Sequence, residues 1–203
     1  MAEEMRTIIA VEVKKRLYTV DDIWELQRQP GNADKNYELI TGELIEMSPA
    51  NLLHYWLASE ISGEIRDYLK RHDLGYVGTE GGFSPPQDHY TLLAPDVAFV
   101  SKDRMPQPLP QTFAGFMPDL AVEIMSPSNT LRQLREKAAI YLRNGTQLVW
   151  IVIPDQKGIE ICRLTEDGAI EVEVIGIDGA LSGEEVLPGF KLPVRELFPP
   201  TTS

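Results

Sequence analysis

Two acids and one lysine occupy positions where the sequence pattern predicts buried structure. Asp96 opens the apolar strand segment 94–100, and Glu123 lies in the middle of the apolar segment 120–125. Lys137 lies on the apolar stripe of a predicted helix, at about 100° of rotation per residue. A buried carboxylate without a partner costs on the order of several kcal/mol, so Glu123 in particular must meet a cation or a metal ion.

Two carboxylates on neighbouring strands and one inward lysine predict metal-dependent hydrolysis of phosphodiester bonds. Mg²⁺ prefers oxygen ligands and retains several waters, and Mn²⁺ is the alternative ion. A divalent ion acidifies water and stabilises charge on a phosphate, while a lysine orients the nucleophile or neutralises charge. A glycosidase would also use a carboxylate pair, but a buried lysine has no obvious part in that reaction.

Each of these residues also has an ordinary structural interpretation. Asp96 would be a carboxylate at the end of a strand, and Glu123 would face water from an edge strand. Lys137 would extend its ammonium group to solvent along an apolar surface.

The elements that would position these residues form the pattern of one α/β domain. A capping box at Thr19–Asp22 predicts a short helix over 23–29, and alternation about Thr41-Gly42 predicts a hairpin within 37–47. A longer helix begins near Leu53, with Trp56 on its apolar stripe. The remaining elements in chain order are strands over 75–83, 92–100 and 119–125, a helix over 131–143, and strands over 148–153, 159–164 and 170–175.

A strand–helix–strand unit around the helix 131–143 predicts parallel pairing inside a mixed sheet. Thr130 with Gln133 predicts the start of this helix, and Asn144-Gly145 predicts its end. We therefore expect a mixed central β-sheet flanked by helices. The expected divisions are an N-terminal segment 1–17, a domain 18–198 and a tail 199–203.

The composition is that of a globular protein and excludes several classes. The chain has 203 residues, of which 43% are hydrophobic and 25% charged, so it is not a disordered chain, a collagen-like fibre or a coiled-coil rod. Cys162 is the single cysteine, which excludes an intrachain disulfide and a cysteine-based zinc site. Glu3 and Glu4 stand where a signal peptide would carry positive charge, so we expect a cytoplasmic protein.

The net charge of -12 opposes general attraction to nucleic acid, so DNA binding needs a local basic patch. Arg132, Arg135 and Arg143 fall within a narrow arc of the helix away from Lys137 and are the predicted nucleic-acid contacts. A plain solvated helix face is the alternative for this arc. The other candidate patch is Lys14-Lys15-Arg16.

Several motifs together resemble the Uma-type family of proposed endonucleases, long treated as a domain of unknown function within the PD-(D/E)xK restriction-endonuclease-like superfamily. The resemblance covers residues from about Tyr18 to Phe198. It is carried by the segments 37–44, 95–97, 118–128 and 187–190 and by His54, Lys137, Tyr141, Gly145 and Trp150.

The resemblance implies a restriction-endonuclease-like fold in which Asp96, Glu123 and the backbone carbonyl of Ile124 bind the metal ion. The superfamily usually places its lysine two residues after the second acid, where this chain has Met125. Relatives take the lysine from the following helix, and Lys137 matches that position.

Glu38 and His54 also match family positions and would support the metal site. The alternatives are a surface carboxylate in the hairpin for Glu38 and a packed ring for His54. The family usually has acids at the positions of Gln133 and Leu148, so their absence puts full activity in question.

The leading hypothesis is a Mg²⁺-dependent DNA endonuclease with Asp96, Glu123 and Lys137 as its catalytic residues. Nucleases that cut both strands commonly dimerise, so we also expect a homodimer. The alternative is a descendant without catalysis that keeps the fold as an interaction module.

Overall fold

The computed structural model describes residues 16–32 and 35–199. Its helices are α1 (Val20–Gln27), α2 (Leu52–Leu69), α3 (Leu131–Arg143) and α4 (Val194–Leu197), and a short 3₁₀ turn spans Pro154–Gln156. Its strands are β1 (Tyr37–Ile40), β2 (Glu43–Glu46), β3 (Gly75–Gly78), β4 (Val97–Ser101), β5 (Leu120–Ile124), β6 (Leu148–Ile153), β7 (Gly158–Leu164), β8 (Ile170–Ile175), β9 (Ala180–Ser182) and β10 (Lys191–Pro193).

A six-stranded sheet in the order β3-β4-β5-β6-β7-β8 forms the centre of the fold. β5 and β6 pair in parallel, and the other neighbours pair antiparallel. The predicted mixed α/β fold with flanking helices is therefore confirmed, as is parallel pairing across the strand–helix–strand unit. The predicted segments 1–17 and 199–203 lie largely outside the described residues, so those divisions remain predictions.

α3 connects β5 to β6 and has well-defined ends. The Thr130 side chain accepts a hydrogen bond from the Gln133 N–H, and the Gln133 side chain accepts one from the Thr130 N–H, as the sequence predicts. After the C-cap residue Asn144, Gly145 has a φ of +105°, which a residue with a Cβ rarely adopts. These caps fix which residues of α3 face the sheet.

The two faces of the sheet form separate apolar cores. On one face, α2 packs its buried residues against alternate residues of the central strands, including Val122 and Ile124. On the other face, α3 packs Leu134 and Ala138 against the intervening residues, including Ala121. Because side chains alternate along a strand, Glu123 points to the α3 face.

The β1–β2 hairpin joins this arrangement through a short segment that precedes β4. Thr41 and Gly42, the two turn residues, have φ values of +51° and +80°, as in the tight turns that suit the twist of a hairpin. The N–H groups of Leu39 and Leu92 each donate to the carbonyl of the other, at 2.8 and 2.9 Å. This pairing brings Glu38 next to the residues that immediately precede β4.

Some predicted boundaries were wrong. β3 ends at Gly78 and β4 begins at Val97, so residues 79–96 form an irregular segment with only isolated bridges. Prolines at 85, 86 and 95 lack an N–H group, which limits ladder pairing there. The first turn of α2 also departs from the predicted apolar stripe, since Leu53 and Trp56 are 39% and 42% exposed.

Across residues 16–32 and 35–199, no helix combines the length and the apolar character that a bilayer span needs.

Cys162 is buried on β7, and burial raises the pKa of its thiol to about 11.

A second buried carboxylate, Asp119, ties β4 to the start of β5 and β6. Its side chain accepts hydrogen bonds from the Ser101 N–H at 2.7 Å, from Arg104 at 2.5 Å and from Gln147 at 3.1 Å. Asp119 itself is almost fully buried, while Arg104 is partly exposed. These bonds join the end of β4 and the loop after it to the residues that precede β5 and β6, so we assign Asp119 a structural role.

Replacing Asp119 by Ala should therefore destabilise the fold. Hydrogen bonds to a charged group contribute about 1.5–3 kcal/mol each, so the free energy of unfolding should fall by on the order of 2 kcal/mol or more. Urea denaturation followed by circular dichroism measures this change. A variant as stable as the wild type would show that the network contributes nothing.

Candidate active site

The centre of the site is the buried ammonium group of Lys137. Its Nζ lies 2.7 Å from Oε2 of Glu123 and 2.9 Å from Oε1 of Glu38. All three residues are at most 6% exposed. The interpretation of Lys137 as a solvent-reaching lysine is therefore wrong, and so are the interpretations of Glu123 and Glu38 as surface carboxylates.

Tyr141 holds the other oxygen of Glu123. Its hydroxyl donates to Oε1 of Glu123 at 2.9 Å, and its ring is fully buried. One turn of α3 separates Tyr141 from Lys137, so both reach the same strand residue. The sequence indicated Tyr141 as one of the residues that carry the family resemblance but assigned it no role, and its four-residue spacing from Lys137 was the feature that could have identified this role.

Glu38 has a second fixed contact besides Lys137. Its Oε1 accepts a hydrogen bond from the Ala94 N–H at 2.9 Å, in the segment just before β4. The hairpin residue is thus held by α3 on one side and by the approach to β4 on the other. Glu38 lies within the same cluster as Glu123, as the family positions implied.

Asp96 and His54 form the adjoining part of the site. Oδ2 of Asp96 lies 3.2 Å from Nε2 of His54 and accepts a hydrogen bond from the Ile124 N–H at 2.6 Å. The side chains of His54 and Asp96 are 13% and 19% exposed, so this part is more open to solvent than Lys137. The first turn of α2, capped by Asn51, supplies His54.

The strand register explains why Asp96 and Glu123 are neighbours. Val97 of β4 lies opposite Val122 of β5 in an antiparallel pair. Continued by one residue, this register puts Asp96 opposite Glu123, and paired residues share one face of a sheet. The contact of Asp96 with the Ile124 N–H agrees with that placement.

The cluster carries more negative than positive charge. Burial, together with repulsion by Glu38 and Asp96, raises the pKa of Glu123 to about 7, although attraction by Lys137 opposes the shift. Burial opposes the charge on Lys137, yet attraction by Glu123 and Glu38 prevails and raises the pKa of Lys137. Two of these carboxylates contact Lys137, and the third, Asp96, pairs with His54.

Neighbouring groups respond to the same field. The hydrogen bond to Asp96 raises the pKa of His54, against the effect of burial, and the charges of Glu123 and Glu80 add to this rise. Burial and the nearby carboxylates raise the pKa of Tyr141 well above its ordinary value, so it stays a hydrogen-bond donor.

Hard oxygen donors and excess negative charge are what Mg²⁺ or Mn²⁺ requires. Asp96 and Glu123 are the side chains that could hold such an ion. Oδ1 of Asp96 has no hydrogen bond among those described, and each oxygen of Glu123 has one, so both carboxylates keep lone pairs for a metal ion. Within the described residues, no group of three or more His, Cys, Asp and Glu side chains is arranged to hold a metal ion. The residues fit an ion that takes its remaining ligands from backbone and water.

The three arginines of the predicted nucleic-acid patch differ in their surroundings. Arg135 forms two hydrogen bonds with the buried Glu160 of β7, at 2.6 and 2.8 Å. Arg132 is exposed and pairs with Glu136 at 2.9 Å, and Arg143 is exposed at the end of α3. None of the three lies among the contacts of Lys137. In the other candidate patch, Lys14 and Lys15 lie outside the described residues, and Arg16 pairs with Asp22.

Gln133 and Leu148 have structural roles in this chain. Gln133 completes the capping box of α3, a position that accepts Gln as well as Glu. Leu148 is buried in the core at the start of β6. No hydrogen bond or ion pair described links either residue to the charged cluster, and Glu38, Asp96, Glu123 and Lys137 keep their contacts in this chain.

Comparisons with known proteins assign the chain to a class. Residues 23–195 match the Uma2 family, described as "Putative restriction endonuclease", so the chain belongs to that family. Among solved structures, it is similar to "a putative nuclease belonging to DUF820 from Anabaena variabilis ATCC 29413". That similarity has a TM-score of 0.74 at 22% identity and covers 89% of this chain and 97% of the other. A comparison with curated proteins finds no match.

The resemblance inferred from the sequence is thus confirmed, and so is the fold. Membership of the family supports nuclease function in general. The roles of individual residues, the metal ion and the oligomeric state stay predictions.

The raised pKa of Glu123 predicts a pH-dependent difference in stability between the wild type and Glu123→Gln. A carboxyl whose folded pKa is raised favours the folded state at low pH, and this contribution is lost as pH rises from about 4.5 to about 7. Without metal, the variant should gain on the order of 1–3 kcal/mol relative to the wild type between pH 5 and pH 8.

Urea denaturation in the presence of EDTA at both pH values measures this difference. Parallel changes in the two proteins would contradict the raised pKa. Glu136→Gln, at an exposed position of α3, is the matched control and should follow the wild type.

Proposed function

We propose that the protein is a Mg²⁺-dependent endonuclease that hydrolyses phosphodiester bonds in DNA, with Mn²⁺ able to replace Mg²⁺. Asp96, Glu123 and the carbonyl of Ile124 would hold the ion, and Lys137 would assist the water nucleophile. The observation that carries the proposal is the buried contact of Lys137 with Glu123. Glu123 lies on β5 beside Asp96, which accepts a hydrogen bond from the next residue of β5, Ile124.

The position of Ile124 supports its place in the ligand set. In a strand, the N–H and C=O of one residue point towards the same neighbour. The Ile124 N–H donates to Asp96, so the Ile124 carbonyl also points to the β4 side of the strand, near Asp96. Two carboxylates and one carbonyl leave further positions for water, as Mg²⁺ usually requires.

When bound, a divalent ion lowers the pKa of water and stabilises charge on the phosphate. The chain's own contribution is to fix the groups around it. Lys137 has three N–H donors, and Glu123 and Glu38 take two of them. The third is free to orient an attacking water or to donate to a phosphate oxygen, and the buried setting strengthens that interaction.

Tyr141, Glu38 and His54 keep the reacting groups in position. Tyr141 and Lys137 each hold one oxygen of Glu123, which fixes the rotation of the carboxylate. His54 holds Oδ2 of Asp96 on the open side of the cluster. Such partners of metal-binding carboxylates typically affect metal affinity or activity 10- to 100-fold.

DNA is the proposed substrate because the family is one of restriction-endonuclease type. Arg132, Arg135 and Arg143 are the proposed phosphate contacts, although two of them already have carboxylate partners. Cutting both strands would require a second active site, and we propose a homodimer for that reason.

The same ion pairs favour a second candidate function. With a net charge of -12 and two of its three arginines already paired, the predicted patch offers few unpaired cations to phosphates. A nuclease-fold interaction module without catalysis would need no metal. Metal binding therefore separates the two candidates.

Asp96→Asn should abolish tight binding of Mn²⁺, because it removes one charge from the proposed ligand set. Isothermal titration calorimetry should show one site in the wild type and at least a 10-fold weaker one in the variant. Asp103→Asn, at an exposed position of the loop after β4, is the matched control and should bind as the wild type does. A wild type that binds no divalent ion would favour the interaction module.

Lys137→Ala should lower the rate of plasmid cleavage by on the order of 100-fold or more, because it removes the donor to the nucleophile or phosphate. Glu123→Ala should abolish cleavage. The matched control is Lys70→Ala, since Lys70 is exposed on the C-cap of α2 and pairs only with Asp67 among the salt bridges described.

Unchanged cleavage by Lys137→Ala, alongside loss in Glu123→Ala, would show that the lysine has no catalytic role. Mn²⁺ titration of the same variant tells whether a lost rate reflects a lost metal site.

A further inference from the structure

A small apolar cavity opens beside the site, at the edge of the sheet formed by β3. It measures about 160 Å³. Its lining includes Tyr76, Gly78, Phe83, Val100 and Met105. Pockets for drug-sized ligands measure about 300–1,000 Å³, so this one has room for a single small ring system.

The cavity lies on the same face of the sheet as the charged cluster. Gly78 pairs with Ala98 and Tyr76 with Val100, and these four residues therefore share a face. Ala98 is two residues from Asp96 along the same segment, about 7 Å at the rise of a strand. Neighbouring strands are about 5 Å apart, so the combined distance from Asp96 to the cavity is on the order of 10 Å.

The loop after β3 connects the cavity to the charged cluster. Thr79 and Gly81 line the cavity, and the intervening Glu80 is close enough for its charge to raise the pKa of His54. A substrate strand that places a phosphate at Asp96 would therefore have an adjoining nucleotide beside this cavity.

The lining suits a nucleobase. A base has two flat faces that stack on aromatic rings, and Tyr76, which lines the cavity, is 46% exposed. The polar edges of a base need hydrogen bonds, and β3 is an edge strand whose outer backbone groups have no strand partner within the described sheet. Stacking also offers a source of affinity to a protein whose arginines are largely paired with carboxylates.

We infer that this cavity binds one unpaired nucleobase of the nucleic-acid substrate, next to the phosphate that is cut. A base inside a duplex is stacked on both faces and must leave the stack before it can enter such a cavity. The substrate class is accordingly DNA with an unpaired base near the cleavage position, either single-stranded or bulged. The inference takes its ligand from the proposed nuclease function.

Gly78→Leu provides the test, because a Cβ added at Gly78 meets no atom within 4 Å and the larger side chain extends into open space. Gly176, near the opposite edge of the sheet, also has open space around an added Cβ, so Gly176→Leu is the matched control. Tyr76→Ala removes the exposed ring without filling the cavity.

Binding is measured in EDTA by fluorescence anisotropy, so that cleavage plays no part. The probes are a DNA duplex with one bulged 2-aminopurine, the same duplex with an abasic bulge, and the fully paired duplex. The wild type and Gly176→Leu should bind the bulged base about 10-fold more tightly than the abasic probe. Gly78→Leu and Tyr76→Ala should lose this preference and bind the paired duplex as before.

Equal affinity of the wild type for the bulged-base and abasic probes overturns the inference, as does a preference that survives in both Gly78→Leu and Tyr76→Ala. If Gly78→Leu fails to fold, as judged by circular dichroism, Tyr76→Ala and the fluorescence of 2-aminopurine in the wild type decide. Metal-dependent cleavage of the bulged and single-stranded DNA by the wild type tests the nuclease function separately. Cleavage without a preference for the bulged base overturns the cavity assignment alone, whereas a preference without cleavage overturns the nuclease function alone.

Discussion

The contact of one buried ammonium group with two buried carboxylates constrains much of this structure. Lys137 of α3 lies between Glu38 of the hairpin and Glu123 of the central sheet. Removing the lysine would leave two buried carboxylates without a cation, which proteins tolerate poorly. The hairpin, the sheet and α3 must therefore meet at one point. The excess negative charge that remains makes the cluster suitable for a divalent ion.

The sheet satisfies this constraint through alternation and register. A shift of one residue in β5 would turn Glu123 towards α2 and into a purely apolar core. The four-residue spacing of Lys137 and Tyr141 places both on the face of α3 that reaches Glu123. The apolar residues beside them, Leu134 and Ala138, hold the helix on the sheet. The same helical spacing thus places both the apolar residues and the polar residues of α3 against the sheet.

The sequence predicted the elements with strong local patterns and missed those set by tertiary contacts. The bounds of α3 and β6 agree with the pattern, because caps and a continuous apolar run define them. The start of β4 was placed too early, since the preceding residues pair with the hairpin instead of the sheet. Helical rotation placed Lys137 inward, but its pairing with Glu38 depends on a docking that no local pattern encodes. The ion pair of Arg135 with Glu160 of β7 could not be predicted for the same reason.

The sequence separation of the site residues has a consequence for the order in which the protein folds. Glu123 and Lys137 are 14 residues apart and belong to one strand–helix–strand unit, which needs only a short loop closure. The contact of Glu38 with Ala94, just before β4, spans 56 residues. The contact of Glu38 with Lys137 forms only when the hairpin docks on that unit. During synthesis the hairpin leaves the ribosome before Leu92, with which it pairs, and well before α3, which supplies Lys137. A nascent chain therefore holds an incomplete charged cluster until α3 has been made.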